Sequence, residues 1–327
     1  MSRTVKVGTR SSPLALAQTH EILAPLKSTF PEVDFEIINI TPDGDRRKSA
    51  PLLSMGRGMF VKELEAALLT EEIDFAVHSA KDMPADLPEG LQISAFGERI
   101  DPRDVLVDYA GRNLDTLPIG ARLGTSSPRR AAQIKHAYPG LEILPVRGNV
   151  ETRLTKADGL ACDGVIVASA GMIRLSLESE ITEFLPVEVC TPDAGQGALA
   201  VETRTSDTEI HDLLAEINHR ETHITVTAER EFIAAIGGGC RVPVAAFATI
   251  DGEKLRMSAM AGLPDGSELF RVEIVGEISD SKSVGQSAAH SLMESGAIPT
   301  SSVTSFALVD DSVEAADAAG GGERKSG

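Results

Sequence analysis

The sequence is poor in aromatic residues and cysteine, and it has fewer basic than acidic side chains. Its 327 residues include no Trp, two Tyr and three Cys, and 31 Lys and Arg stand against 49 Asp and Glu, a net charge of −18. This acidic balance argues against nucleic acid or an anionic membrane surface as a partner, because both attract positive charge. The scarcity of aromatic side chains also argues against a platform on which bases stack.

Long apolar segments are missing as well. No apolar run approaches the length of a membrane-spanning helix, and the N-terminal MSRTVKVGTR lacks the apolar core of a signal peptide, so we expect a cytoplasmic protein. Three cysteines without a C-x-x-C pair predict neither a disulfide framework nor a four-cysteine metal site, and no metal is expected. Cys162 and Cys190 are predicted to be small buried hydrophobic residues.

Positive charge is concentrated in one segment. Residues 121–160 hold seven basic and three acidic side chains, whereas residues 161–327 hold 11 basic and 27 acidic ones. A single arginine here is typical of a surface ion pair. Four of them in one basic segment favour bidentate recognition of carboxylate or phosphate groups: Arg129, Arg130, Arg147 and Arg153.

Two turns with similar sequences predict two similar halves. A strand over Val5–Thr9 leads to Ser12-Pro13 and a helix over 14–27, and a second strand leads to Ser127-Pro128 and a helix over 129–136. Serine before proline is typical of a helix start, with serine as the N-cap. A helix N-terminus at a strand end is suited to bind an anion.

Two later strand patterns repeat the correspondence. Residues 74–80 and 163–170 each read as an apolar strand that ends in a polar loop. Strands alternating with helices predict an α/β fold with largely parallel sheets, and the matching halves suggest a cleft between two similar domains. Chance similarity between short α/β segments is the alternative explanation.

Composition and breaker residues predict three domains and a tail. The first α/β domain is expected over 1–98 and 198–217, and the second over 103–191. From residue 220 a helix that ends at three glycines, three strands and a last helix predict a small α+β domain over 220–312. The low-complexity residues 313–327 are predicted to be a disordered tail.

Two short segments carry side chains that could take part in catalysis or ligand binding. Lys81 and Asp82 follow a predicted strand end, where they either serve a ligand in the cleft or form a local ion pair that caps a turn; their spacing favours neither. Cys240 follows three glycines on a predicted loop, where it could be a nucleophile or an attachment point, and attachment fits better because no histidine partner is near in sequence.

Three histidines lack a convincing third metal ligand, and we expect them to have protein hydrogen-bond partners at a hinge or at the surface: His211, His219 and His223.

Seven motifs, taken in order, resemble those of the porphobilinogen deaminase family. Each is weak alone, but the ordered set is specific and extends over about residues 5–276. Arg57 stands where the family has a lysine. The motifs occupy these ranges: Gly8–Ala15, Phe60–Leu64, His78–Pro84, Gly124–Arg130, Arg147–Leu154, Gly195–Gly197 and Gly237–Pro243.

The resemblance implies an enzyme with two similar periplasmic-binding-protein-like α/β domains that flank a cleft, plus a small α+β C-terminal domain. Such an enzyme is a monomeric transferase of tetrapyrrole and haem biosynthesis. It joins four porphobilinogen molecules head to tail, releases ammonia and yields hydroxymethylbilane. It carries a dipyrromethane cofactor bound by a thioether to the cysteine that matches Cys240.

The resemblance also implies roles for single residues. Asp82 is implied as the catalytic carboxylate that contacts pyrrole N–H groups and stabilises the cation formed as ammonia leaves, with Lys81 beside it. Cofactor contacts are implied for Ser79, Lys81, Asp82, Thr125, Ser127, Arg129, Arg130 and Arg147. Substrate contacts are implied for Arg10, Ser12, Arg57, Phe60, Arg147, Arg153, Arg174 and Gln196.

Two other functions would use part of the same pattern. A two-domain clamp for a small anionic solute would share the paired α/β halves, but it predicts a signal peptide or lipid anchor and gives Cys240 no role. An effector-sensing regulatory domain predicts a fused DNA-binding helix pair, which the sequence does not suggest. The enzyme is the favoured hypothesis.

Overall fold

The computed structural model describes residues 4–40, 61–158, 162–237 and 243–296. Within these ranges the chain forms two five-stranded sheets and one three-stranded sheet.

The first sheet has the strand order β2-β1-β3-β10-β4. Strand β10 runs antiparallel to both of its neighbours, so the other four strands all run in one direction. Helices α1 and α6 contribute to the core on one face and α2 to that on the other. The bounds are β1 Thr4–Thr9, α1 Pro13–Thr29, β2 Asp34–Asn39, α2 Lys62–Leu69, β3 Phe75–Ser79, β4 Leu91–Phe96, β10 Leu199–Arg204 and α6 Thr208–Ala215.

The second sheet has the corresponding order, β7-β6-β8-β5-β9. Strand β5 is its antiparallel member. Helix α3 packs on one face, and α4 and α5 pack on the other. The bounds are β5 Asp104–Val107, β6 Arg122–Gly124, α3 Pro128–Ala137, β7 Glu142–Leu144, α4 Val150–Asp158, β8 Gly164–Ala168, α5 Ser169–Arg174 and β9 Glu183–Phe184.

The two sheets therefore match strand for strand, and the prediction of largely parallel sheets is confirmed with one exception in each. In each sheet the exception is the first strand that forms after the chain has crossed over from the other sheet. This strand is β5 where the chain enters the second sheet, and β10 where it returns to the first. The segments before these two strands thus lie side by side between the sheets. The exact domain limits stay a prediction.

Both predicted helix starts are confirmed. The Ser12 hydroxyl accepts a hydrogen bond from Ala15 N at 3.2 Å, and the Ser127 hydroxyl accepts one from Arg130 N at 3.4 Å. The proline that follows each serine occupies the first helical position, where the missing N–H has no cost. Each helix consequently begins directly after the carboxyl end of a central strand, β1 or β6.

The third unit is the predicted small α+β fold. An antiparallel sheet in the order β11-β12-β13 is covered by α7 and α8, and their apolar faces form a separate core. Gly237 ends α7 with a φ of 67°, the left-handed conformation that glycine adopts readily. The bounds are α7 Arg220–Ile236, β11 Val244–Asp251, β12 Lys254–Gly262, β13 Leu269–Glu277 and α8 Ser281–Glu294. Throughout the described ranges, no helix has the length and apolar character needed to span a membrane.

Candidate functional site

The loop after β3 carries the two candidate catalytic residues. Ala80–Asp82 form one turn of 3₁₀ helix immediately after the strand, at the edge of the sheet where α1 also begins. Ala80 is buried, Lys81 is half-buried and Asp82 is exposed. The loop is thus anchored by its first residue and presents its carboxylate to solvent.

Lys81 is held by the segment that returns from the second sheet. Its Nζ donates to Gln196 Oε1 at 3.2 Å. Burial lowers the pKa of Lys81, and the charge of Arg130 lowers it further. Three carboxylates near enough to act on it oppose that shift: Asp82, Asp104 and Asp193.

Two glycines allow this returning segment to approach closely. Gly195 has a φ of +75°, and a Cβ on it would lie 3.0 Å from Ala80 C and 3.1 Å from Lys81 N. Gly197 has a φ of +91°, and a Cβ there would lie 2.5 Å from Ile100 O. Any other residue would be strained by the positive φ at both positions and would clash at Gly197, so the Gly-Gln-Gly motif lets Gln196 reach both sheets.

Gln196 belongs to a buried polar group between the sheets, which we name the hinge cluster: Asp104, Arg129, Arg130 and Gln196. Its centre is Asp104, the first residue of β5, which is fully buried. The Asp104 carboxylate accepts from Arg129 Nη1 at 2.6 Å, from Arg130 Nε and Nη2 at 2.9 and 2.7 Å, and from Gln196 Nε2 at 2.9 Å. The two arginines of α3 are therefore joined to the segments that connect the sheets.

The charges of the hinge cluster are mutually stabilising. Burial by itself would raise the pKa of Asp104, but the charges of Arg129 and Arg130 outweigh it and hold that pKa well below its ordinary range. Burial would likewise lower the pKa of Arg129, but the charge and hydrogen bond of Asp104 and the charge of Asp193 are among the contributions that together outweigh it and raise that pKa. Since each ion offsets the desolvation of the others, the cluster stays charged in the interior.

Lys81 and Arg153, which we name the cleft cations, are in a different situation. Arg153 Nε donates to Gly148 O at 2.9 Å, a neutral partner. Burial and the charge of Arg130 lower the pKa of Arg153 to about 10. Burial is thus the main cause of both lowered pKa values, and the charge of Arg130 adds to it.

Arg174, at the end of α5, contacts the first sheet unit. Its Nε and Nη2 donate to Glu21 Oε2 and Oε1 at 2.8 and 3.0 Å, and Nη2 also donates to Gly197 O at 3.0 Å. Arg174 and Gln196 were predicted to contact substrate, and the structure gives both of them protein partners. Their contact with substrate stays a prediction.

The remaining predicted residues lie at the two helix starts and at α4. Ser12 and Ser127 are the caps described above, and Thr125 Oγ1 accepts from Ser127 N at 3.2 Å. Arg10 and Ser79 are half-buried at the ends of β1 and β3, and Arg147 is exposed just before α4. Arg57, Phe60 and Cys240 lie outside the described residues.

The other two cysteines are buried, as predicted. Cys162 belongs to the apolar core of the second sheet. The Cys190 thiol additionally donates to Asp104 Oδ2 at 3.2 Å, and burial raises its pKa to about 12. Such a thiol is protonated and unreactive at neutral pH.

The three histidines have protein partners, in agreement with the prediction. His219 caps α7 through Thr222, and His223 contacts Asn218. His211 Nε2 lies 2.9 Å from Arg204 O. In the described part of the chain, no three His, Cys, Asp or Glu side chains are grouped so that they could hold a metal ion.

Comparison with known proteins agrees with the resemblance seen in the sequence. The family model "Porphobilinogen deaminase, dipyromethane cofactor binding domain" matches residues 5–212, and "Porphobilinogen deaminase, C-terminal domain" matches residues 223–294. The chain belongs to the porphobilinogen deaminase family.

Relatives in this family align over most of their length. The porphobilinogen deaminase of Syntrophus aciditrophicus is 45% identical over 293 residues, 89% of this chain and 96% of that one. That of Brevibacillus brevis is 45% identical over 294 residues, 89% and 94% of the two chains. Among solved structures, the methionine-binding protein MetQ has a TM-score of 0.41 at 12% identity, over 65% of this chain and 88% of that one.

The described residues fit the family's dipyrromethane cofactor, whose pyrrole rings carry carboxylate side chains. The fit rests on residue type and grouping: Lys81 and Arg153 each lie near enough to Arg130 for its charge to act on them, and cationic side chains pair with carboxylates.

Several residues of the site were missed by the sequence analysis. Asp104 is the first residue of a strand that is otherwise apolar. An acidic residue at the start of such a strand could have indicated a buried partner for the arginines of the basic segment. Glu229 lies on the apolar face of α7, three residues from Val226 and from Phe232. It accepts from Arg99 Nη1, Gly195 N and Ala248 N at 2.6 to 2.8 Å, which joins the third unit to both connecting segments.

Proposed function

We propose that this chain joins four porphobilinogen molecules head to tail, with release of ammonia, to give hydroxymethylbilane in tetrapyrrole biosynthesis. The observation that carries the proposal is the family match over 5–212 and 223–294, which includes the cofactor binding domain. The grouping of Lys81 and Arg153 around Arg130 supports it, because every porphobilinogen unit brings two carboxylates that cationic side chains can bind.

Cys240 would hold the dipyrromethane cofactor through a thioether. When bound, the cofactor supplies the primer to which porphobilinogen units are added. Cys240 follows α7 by four residues, and Glu229 on that helix bonds to both connecting segments. The third unit is therefore fixed to the frame that also carries Lys81 and Asp104. Cofactor carboxylates would be bound by Lys81, Arg129, Arg130 and Arg147, together with Ser79, Thr125 and Ser127.

Asp82 would supply the catalytic carboxylate. It is exposed on a loop whose neighbours Ala80 and Met83 are buried, so the backbone under it is held in place. A carboxylate so placed can accept hydrogen bonds from pyrrole N–H groups and stabilise the positive charge that develops on the substrate as ammonia leaves. Lys81 would bind carboxylates on the same side.

Substrate carboxylates would be bound by arginines from both sheets. Arg153 suits this role best on the present geometry, because its pKa is lowered and its hydrogen-bond partner is a neutral carbonyl. A carboxylate beside Arg153 would raise its pKa back toward the ordinary value. Since the protonated arginine and the anion stabilise each other, Arg153 would favour binding of the anion. The further substrate contacts in the proposal are Arg10, Ser12, Arg57, Phe60, Arg147, Arg174 and Gln196.

The test is intact-protein mass spectrometry of the purified chain with a parallel assay of porphobilinogen consumption. We expect an added mass equal to two deaminated porphobilinogen units, lost together with activity in Cys240→Ser. Cys162→Ser is the matched control, because Cys162 is buried in the second sheet's core, and it should keep the added mass. An active chain without any added mass would contradict the proposal.

A further inference from the structure

The contact between Arg174 and Glu21 joins the two sheet units. Glu21 lies on α1, which packs on the first sheet, and Arg174 is the last residue of α5, which packs on the second. The two contacts of the guanidinium with Glu21, through Nε and Nη2, are at hydrogen-bond length, 2.8 and 3.0 Å. The Arg174 side chain is only 4% exposed, whereas that of Glu21 is 36% exposed.

This geometry occupies the part of Arg174 that binds carboxylates best. The Nε–Nη2 edge of a guanidinium forms two parallel hydrogen bonds with a carboxylate, and Glu21 uses both positions. The remaining contact of Nη2 is with Gly197 O, which lies in the segment that returns from the second sheet. A carboxylate from a ligand must therefore displace Glu21 or take the less favourable Nη1 position.

We propose that Glu21 is an internal competitor for Arg174 and thereby sets the affinity for the substrate's carboxylate. The inference rests on the proposed function, in which Arg174 binds that carboxylate. Because Glu21 is partly exposed, it can turn into water when a ligand carboxylate arrives, whereas Arg174 stays in place through Gly197. Glu21 is thus a residue that tunes affinity and takes no part in the chemistry.

The experiment compares the KM for porphobilinogen, kcat and the thermal midpoint of the parent and Glu21→Gln. Removing the competing charge should lower KM about two- to fivefold, the range expected for a partly exposed ion pair, with kcat little changed. Glu36→Gln, an exposed carboxylate on β2, is the matched control and should leave KM unchanged. In an Arg174→Gln background the Glu21 substitution should have no further effect on KM.

Other outcomes separate the two proposals. A lower thermal midpoint with an unchanged or higher KM would show that Glu21 only fastens the two units together, and the inference would be overturned while the proposed function stood. The same fall in KM in the Arg174→Gln background would also overturn it. A parent chain that consumes no porphobilinogen would remove both proposals.

Discussion

Arg129 and Arg130 carry the same kind of charge as Lys81 and Arg153, yet the protein surrounds the two pairs in opposite ways. The arginines of the hinge cluster share Asp104, with contacts of 2.6 to 2.9 Å and almost no exposure. Within the described residues, the side chain of Lys81 donates to a neutral amide and that of Arg153 to a neutral carbonyl, and both of their pKa values are lowered.

The difference separates two electrostatic environments of positively charged side chains. In the hinge cluster, Asp104 offsets the desolvation of its arginines, so the group ties α3 to the segments between the sheets. Around Lys81 and Arg153, burial and the charge of Arg130 lower both pKa values, and the charges of Asp82, Asp193 and Asp104 oppose the shift at Lys81 only in part. Each group also has its own acid: buried Asp104 in the hinge cluster and exposed Asp82 beside Lys81.

The largest expected effect is that of substituting the exposed acid, Asp82, on kcat. Asp82→Asn should lower kcat by about 10²- to 10⁴-fold, because the carboxylate that stabilises developing positive charge is lost. Its free energy of unfolding should change by less than about 0.5 kcal/mol, since Asp82 is exposed. Steady-state kinetics and urea unfolding measure the two quantities.

Asp86→Asn is the control for this change, because Asp86 is exposed on the same loop four residues later. It should keep the parent's kcat. A near-normal kcat in Asp82→Asn would remove Asp82 from the catalytic role.

The buried acid should give the opposite result. Asp104→Asn leaves Arg129 and Arg130 without their shared counter-charge, and we expect a loss of about 3–5 kcal/mol in the free energy of unfolding. Asp101→Asn, which breaks the partly exposed pair with Arg103, should lose no more than about 1 kcal/mol. Urea unfolding at neutral pH measures both.

The same variant has a defined pH dependence. The pKa of Asp104 is well below its ordinary range in the folded chain and about 3.9 in the unfolded chain. The contribution of Asp104 to the free energy of unfolding is therefore complete above the unfolded-state pKa and is lost as the pH falls through the folded-state pKa. The parent should therefore lose stability more steeply than Asp104→Asn on acidification. Equal stabilities of parent and variant at pH 7 would show that the hinge cluster is not a stabilising ion group.

The smallest expected effect concerns Lys81 at alkaline pH. The pKa of Lys81 is lower in the folded chain than the ordinary value of 10.5. Between these two pKa values the unfolded chain binds more protons than the folded chain, so the contribution of Lys81 to the free energy of unfolding rises with pH. In the cofactor-free Cys240→Ser chain, any stability gained through Lys81→Met should therefore shrink between pH 7 and pH 10. Urea unfolding across this range measures the change.

Lys27→Met, at an exposed lysine on α1, is the control for the alkaline measurement. A stability difference that stays constant with pH for Lys81→Met would show that the pKa of Lys81 is not lowered in the folded chain. The cleft cations would then resemble the hinge cluster.

Most of the fold could be predicted because its signals are local. Ser12-Pro13 and Ser127-Pro128 start α1 and α3 through hydrogen bonds that span three residues. Gly237 ends α7 through its own left-handed backbone. The matching sheets followed from repeated strand and turn patterns, although the pattern did not show that β5 and β10 run antiparallel. Strand direction depends on where the chain crosses between sheets.

The candidate site was predicted less completely, because burial and partners depend on residues far apart in sequence. The basic segment and the Lys81-Asp82 loop were identified from residue type and position. That Arg129 and Arg130 share Asp104, 25 and 26 residues earlier, was not. Nor was the bond from Arg174 to Glu21, which joins residues 153 positions apart.

The sequence by itself determined which residues can carry the chemistry, since side-chain type, the glycine and proline positions and seven ordered motifs are local properties of the chain. The tertiary structure alone decided how each charge is used, because a carboxylate's distance and the loss of water set whether a cation is neutralised or left to bind a ligand. Arginines of one chemical type are thus paired with a buried carboxylate at Asp104 and bonded to a neutral carbonyl at Arg153.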